Sequence, residues 1–194
     1  MEIIKHRRNT INDLKNTSKK FGIEVDIRSY KSKLILHHDP FIKADYFEDW
    51  LKFYQHGTLI LNLKEEGLET TILNLMRINN IDSFFFLDQS FPFLIKTINS
   101  GEDKVALRVS EFESIETALN LKNKALWIWV DTFSKFPLSK NEYKKLKDAK
   151  FKLCLASPEL QQTNSIRIND LKSYLEDQNI LFDAVCTKYP ELWI

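Results

Sequence analysis

Residues 5–40 read KHRRNTINDLKNTSKKFGIEVDIRSYKSKLILHHDP, and the fold is decided by how this stretch is read. A short apolar run ends at His6 and Arg7, a second run carries Glu24 and Asp26, and a third closes on His38 and Asp39. Side chains alternate between the faces of a strand, so Glu24 and Asp26 share one face of the second run. Two histidines, two carboxylates and an arginine at the ends of short extended runs point to one polar site built on strand ends.

The rest of the chain repeats the same rhythm. Further extended runs fall at Thr58–Lys64, Ser83–Leu87, Val105–Val109, Ala125–Val130, Phe151–Leu155 and Phe182–Thr187, after those at Glu2–His6 and Ile23–Arg28. Between them lie segments of helical periodicity: Leu68, Ile72, Leu75 and Met76; Ile115, Ala118 and Leu119; and Leu171, Tyr174 and Leu175. Gly22, Gly57 and Gly101 each stand between a helical segment and a strand, where left-handed helix caps are expected. Eight βα units favour a closed (β/α)8 TIM-type barrel over an open doubly wound sheet. Leu34–His38 is an extra extended piece, a hairpin-like excursion after strand 2. The expected organisation is one domain over residues 1–194, with short helices.

Composition narrows the function. Lysine and arginine number 28 against 27 acidic residues, a net charge of +1, which argues against a general nucleic-acid binder. No apolar run is long enough for stable membrane insertion, and MEIIKHRR opens without a signal-peptide core, so a cytoplasmic protein is expected. Cys154 and Cys186 each sit inside an apolar run and read as reduced core thiols.

In a barrel, catalytic groups stand at the C-terminal ends of strands. His6, Glu24, Asp26, Asn62, Lys64, Asp88, Arg108 and Asp131 all fall at or just past such ends. Glu24 and Asp26 form a hard-oxygen pair suited to Mg²⁺ or Ca²⁺, or else a strand-end salt bridge with Arg28. His6 and His38 suit acid–base work near neutral pH, although a lone histidine is more often passive. Arg7, Lys64 and Arg108 could hold anionic oxygens. Lys64 has the alternative of pairing with Glu65 or Glu66. Trp127, Trp129 and Asp131 share a face, which lets Trp129 border a pocket, while Phe84–Phe86 reads as core.

These motifs resemble the glycerophosphodiester phosphodiesterase family, within the barrel phosphodiesterases that include bacterial phosphatidylinositol-specific phospholipases C. The family's His-Arg-Gly, Glu-x-Asp and His-Asp appear here as His6-Arg7-Arg8, Glu24-Val25-Asp26 and His38-Asp39, in the same order. Its Glu-x-Lys on the next strand appears as Asn62-Leu63-Lys64, and Thr187 and Pro190 resemble its closing turn. The resemblance implies a metal-dependent phosphodiester hydrolase acting on a small or lipid-derived phosphodiester. It implies His6 and His38 as the acid–base pair, Glu24, Asp26 and Asn62 around a divalent cation, and Arg7 and Lys64 on the phosphate. Three features depart from the family: Asn62 stands for a metal-binding glutamate, Arg8 for a glycine, and the chain is trimmed where larger members cover glycerol. Asp88 or Asp131 is a candidate to make good the missing carboxylate. Two other readings remain: an inactive barrel that binds a phosphorylated ligand or a protein, and metal-independent cyclising cleavage.

Overall fold

The computed structural model describes residues 1–161 and 166–194, and the alternation is present throughout them. The strands are β1 (Glu2–Lys5), β2 (Gly22–Tyr30), β3 (Lys33–Leu36), β4 (Leu59–Leu63), β5 (Phe84–Leu87), β6 (Ala106–Val109), β7 (Trp127–Val130), β8 (Lys152–Ala156) and β9 (Ala184–Thr187). The helices are α1 (Ile11–Lys15), α2 (Phe47–Leu51), α3 (Glu69–Ile78), α4 (Phe91–Asn99), α5 (Ile115–Asn120), α6 (Lys140–Asp148) and α7 (Ile166–Asp177). With β3 set aside, strand and helix succeed one another as in the (β/α)8 class. Among the described residues, no helix is long and apolar enough to cross a membrane.

The chain divides into two compact units, Lys5–Gly101 and Met1–Ile4 with Glu102–Ile194. In the first, β5, β4 and β2 pair in parallel, with Asp26 beside Asn62 and Asn62 beside Leu87. Parallel strands covered on both faces must be apolar on both, and β2 is buried from Gly22 to Ile27. Ile23, Val25 and Ile27 fill one face, which leaves Glu24 and Asp26 as buried carboxylates on the other. Beyond the barrel register β2 continues to Tyr30 and turns back through Lys31 (φ 57°) into β3, pairing Tyr30 with Lys33 and Ile27 with Leu36.

In the second unit β6, β7, β8 and β9 pair in parallel order, and the Glu2 N–H donates to Asp183 O at 2.8 Å. Cys154 and Cys186 are free, buried thiols. Helix α6 starts with a reciprocal capping box between Ser139 and Glu142, so its polar sequence still begins at a defined residue.

The turn chemistry differs from the expectation. Gly101 is left-handed (φ 95°), but Gly22 opens a strand and Gly57 is not left-handed; the other left-handed glycine is Gly67 (φ 86°). Left-handed corners after helices are instead supplied by Asn80 (φ 54°), Asn123 (φ 63°), Lys150 (φ 67°) and Asn179 (φ 53°). Asparagine tolerates this conformation better than most residues because its short amide bonds locally. That is how a chain with four glycines makes so many sharp turns.

Candidate active site

The first unit gathers its polar residues at the C-terminal ends of β2, β4 and β5 and on the segment after β1. Glu24 is 1% exposed. It accepts the Arg7 N–H on Oε2 at 2.7 Å and the Asn62 amide on Oε1 at 2.9 Å, and His6 Nε2 stands 3.8 Å from Oε2. Asp26, fully buried, accepts from Asn9 Nδ2 on Oδ2 at 2.9 Å, and Arg7 Nε forms an ion pair with the same oxygen at 3.0 Å. Asn9 also takes the Asp26 N–H on its own Oδ1 at 2.9 Å, which ties the segment after β1 to β2. Lys64 Nζ lies 3.1 Å from Asp88 and 3.5 Å from Asp26 Oδ1.

Burial, and then repulsion from Asp26, push the Glu24 carboxyl up to about 7 against the pull of the Asn62 and Arg7 hydrogen bonds and the Lys64 charge. Two buried oxygens in this cluster, Asp26 Oδ1 and Asn62 Oδ1, accept no hydrogen bond. They belong to residues paired across β2 and β4. Hard oxygens that accept no hydrogen bond, beside the Glu24 carboxyl, are donor chemistry suited to Mg²⁺ or Ca²⁺, so Glu24, Asp26 and Asn62 are the residues that could hold a divalent cation, with Lys64 Nζ 3.5 Å from Asp26 Oδ1. The neutral amide makes the set weaker than three carboxylates. No group of three His, Cys, Asp or Glu side chains is arranged for a metal among the described residues, and the third oxygen of this set belongs to an amide.

Backbone strain marks the same place. Arg7 (φ 52°) and Asp88 (φ 60°) are left-handed just past β1 and β5, a costly conformation for non-glycine residues that collects at functional sites. Arg8, which stands where the resembled family has a glycine, folds back so that Nε donates to His6 O at 3.1 Å.

His38 is placed differently. Its side chain is 45% exposed, with Nδ1 2.8 Å from Asp39 Oδ1. The contact with the rest of the cluster runs through its backbone: Arg28 Nε donates to His38 O at 2.9 Å and Arg28 Nη1 donates to Lys64 O at 2.9 Å. Arg28 therefore does not form the strand-end salt bridge with Glu24 or Asp26 that was one reading of its position. Neighbouring Ser29 donates from N and Oγ to Glu65 at 2.9 and 2.6 Å, so Glu65 is engaged away from Lys64. His37 bonds within its own loop to Asp39, and His56 Nε2 to Thr17 O at 3.0 Å, as structural residues.

Arg108 and Trp129 belong to the second unit and meet there at Asp131. Arg108 Nη1 stands 3.1 Å and Trp129 Nε1 3.3 Å from Asp131 Oδ2, and Gln161 Nε2 donates to both Asp131 oxygens. Trp129 is 5% exposed. Burial raises the Asp131 carboxyl against the opposing pull of Arg108. Asp88 and Asp131, the candidates for a replacement carboxylate, are thus occupied by Lys64 and by Arg108. The sequence reading missed Asn9 and the reach of Arg28. Period-two alternation already puts Arg28 on the face of Glu24 and Asp26; nothing in spacing marks Asn9.

The fold is that of the (β/α)8 barrels, and three solved structures share it over nearly the whole chain. A provisionally named glycerophosphodiester phosphodiesterase from Galdieria sulphuraria superposes with a TM-score of 0.72 at 15% identity, covering 99% of this chain and 96% of that one. A glycerophosphodiester phosphodiesterase from Agrobacterium tumefaciens gives 0.68 at 12% identity, with coverages of 100% and 98%. A glycerophosphoryl diester phosphodiesterase from Parabacteroides distasonis gives 0.67 at 11% identity, with coverages of 98% and 84%. No protein-family model and no curated protein matches the sequence.

Proposed function

We propose that this protein is a glycerophosphodiester phosphodiesterase-like hydrolase that cleaves a small phosphodiester by two-histidine acid–base catalysis at the Glu24–Asp26–Asn62 cluster. The observation that carries this reading is the pair of donorless buried oxygens, Asp26 Oδ1 and Asn62 Oδ1, beside Glu24 and flanked by His6, Arg7 and Lys64. The shared fold of the named phosphodiesterases supports it.

In this mechanism Arg7 and Lys64 grip the phosphoryl oxygens. Arg7 offers a planar fork and is 43% exposed, so it can keep Asp26 while its outer N–H groups face substrate. Lys64 adds a point charge steadied by Asp26 and Asp88. With His38 Nδ1 bonded to Asp39, Nε2 is the nitrogen that takes a proton from the attacking water or from a neighbouring substrate hydroxyl. His6 Nε2, beside Glu24, gives a proton to the leaving alkoxide. A divalent cation, Mg²⁺ or Ca²⁺, held by Glu24, Asp26 and Asn62 would offset the charge of the phosphoryl oxygens when bound.

The test is hydrolysis of bis(p-nitrophenyl) phosphate and glycerophosphocholine with Mg²⁺, Ca²⁺, Mn²⁺ or EDTA, beside His6→Ala and His38→Ala. Cation-stimulated turnover, reduced roughly 100-fold or more in both variants, is the expected result. Turnover indifferent to EDTA would point to metal-independent cleavage.

One observation favours a second reading. Asp26 is already met by Arg7 and Lys64, so the cluster is partly neutralised by the chain itself, as in a barrel that only binds a phosphorylated ligand. A folded protein that binds glycerol phosphate but turns over no diester with any ion would establish that reading.

A further inference from the structure

We infer that Arg28 is a positioning residue that sets the acid–base loop of His38 against the phosphate-binding Lys64; this rests on the function proposed above. His38 ends an excursion from the strand that carries the carboxylates: β2 runs past Asp26 to Tyr30, turns, and β3 brings the chain back. Residues 38–43 are exposed along their whole length, and Phe41 at their centre is wholly exposed and left-handed (φ 63°). Such a segment has little packing of its own to fix where an imidazole stands.

Arg28 supplies what packing does not. It lies two residues beyond Asp26 on the same face of β2, so its guanidinium leaves the strand on the side of the cluster. Nε and Nη1 are held in one rigid plane with their N–H bonds diverging, and each donates to a different carbonyl: His38 O at 2.9 Å and Lys64 O at 2.9 Å. One planar group therefore fixes the spacing of two backbone segments, one bearing the proposed base and one a phosphate ligand. Lysine has a single donor centre and cannot span both carbonyls in one plane. The β2 strand thus contributes three alternate residues to the site, Glu24 and Asp26 through their oxygens and Arg28 through geometry.

A second bridge nearby provides the control. Glu65 holds Ser29 N and Oγ, which also fastens the β2 extension to the segment after β4, but these hydrogen bonds involve neither the His38 nor the Lys64 carbonyl. If fastening alone mattered, the two bridges would be interchangeable.

The experiment compares Arg28→Ala, Arg28→Lys and Glu65→Gln for kcat and KM on bis(p-nitrophenyl) phosphate, with thermal unfolding and hydrogen exchange on each. Arg28→Ala is expected to lower kcat about 10- to 100-fold with a smaller change in KM. Added guanidinium ion should restore part of that rate, while Arg28→Lys recovers little. Hydrogen exchange in Arg28→Ala should quicken at residues 36–45 and just after Lys64, and remain unchanged in α3. Equal kcat losses in Arg28→Ala and Glu65→Gln, tracking loss of stability, would overturn the assignment. So would unchanged kcat, or exchange at residues 36–45 as slow as in the parent. Should the parent protein hydrolyse no diester, the proposed function fails while the exchange result still decides whether Arg28 holds the His38 loop.

Discussion

The Glu24–Asp26 cluster of the first compact unit and the Glu159 cluster of the second have opposite chemistry. In the second unit Glu159, 3% exposed, accepts the hydroxyls of Ser157 and Thr187 and the Lys188 N–H, while Trp193 Nε1 closes the network on Ser157 at 2.9 Å. Its acceptor oxygens face donors already in place. In the first unit Glu24 and Asp26 are as deeply buried, but one Asp26 oxygen and the neighbouring Asn62 oxygen have no donor, and the backbone at Arg7 and Asp88 is strained. A carboxylate whose lone pairs are filled is part of the scaffold. A pair left short of hydrogen-bond donors carries a free-energy penalty that a ligand can relieve, and that distinguishes a site from a strut.

The sharpest way to break this comparison is to neutralise one carboxylate from the site. Asp26→Asn is expected to cut turnover roughly 100-fold or more, because it removes the charge that orients Arg7 and Lys64 and weakens any cation site. Its stability should stay within about 1 kcal/mol of the parent. The new amide oxygen can keep the Asn9 bond, and when the new N–H replaces Oδ1 beside Asn62, Lys64 loses that oxygen but keeps Asp88. A drop in stability as large as the drop in activity would mean that Asp26 is a strut too.

The converse substitution comes next. Glu159→Ala strands the Thr187 hydroxyl and the Lys188 N–H without their buried acceptor, at a cost of about 3 kcal/mol read by urea unfolding. If it unfolds no more readily than the parent, the donor count fails as a criterion for telling the two clusters apart.

The two clusters were also unequally legible in the sequence. Glu24, Asp26, Asn62 and Lys64 could be placed on one face from alternation alone, and their strand-end position followed from the βα rhythm. His6 could be assigned to the same place for the same reason. The sequence places His38 in the same site, at the end of a third extended run, but where the exposed loop holds the imidazole depends on Arg28 reaching two carbonyls, a tertiary contact with no local signature. Glu159 was invisible: it stands in a short turn after β8, and its partners Thr187 and Lys188 come from β9 and just beyond. The left-handed corners are hidden from the sequence because asparagine and lysine, rather than glycine, adopt that conformation at four helix-to-strand turns.

Proton linkage separates the clusters at a smaller scale. Glu24 is pushed from 4.5 up to about 7 in the folded protein, chiefly by burial and then by Asp26. Between those values the folded state holds a proton that the unfolded chain has released. The stability this contributes is present below 4.5 and is lost as pH rises through about 7. In EDTA the parent should therefore lose on the order of 2 kcal/mol between about pH 5 and about pH 8 relative to Glu24→Gln, measured by urea unfolding. Parallel pH profiles for the two proteins would show that Glu24 ionises freely and that the cluster is not short of positive charge.

The smallest expected effect tests the residue that most distinguishes this site from the family it resembles. Asn62 contributes two things: an N–H to Glu24 Oε1 and a donorless oxygen beside Asp26. Asn62→Glu exchanges the N–H for a third carboxylate, which adds repulsion without a cation and attraction with one. Calorimetry with Mg²⁺ or Ca²⁺ should therefore find binding about tenfold tighter than in the parent, while the cation-free protein becomes less stable by a similar increment, about 1.4 kcal/mol. The opposite signs are the point of the measurement. A structural amide replaced by a carboxylate would lower stability and leave cation affinity where it was, whereas a ligand position must show the loss and the gain together.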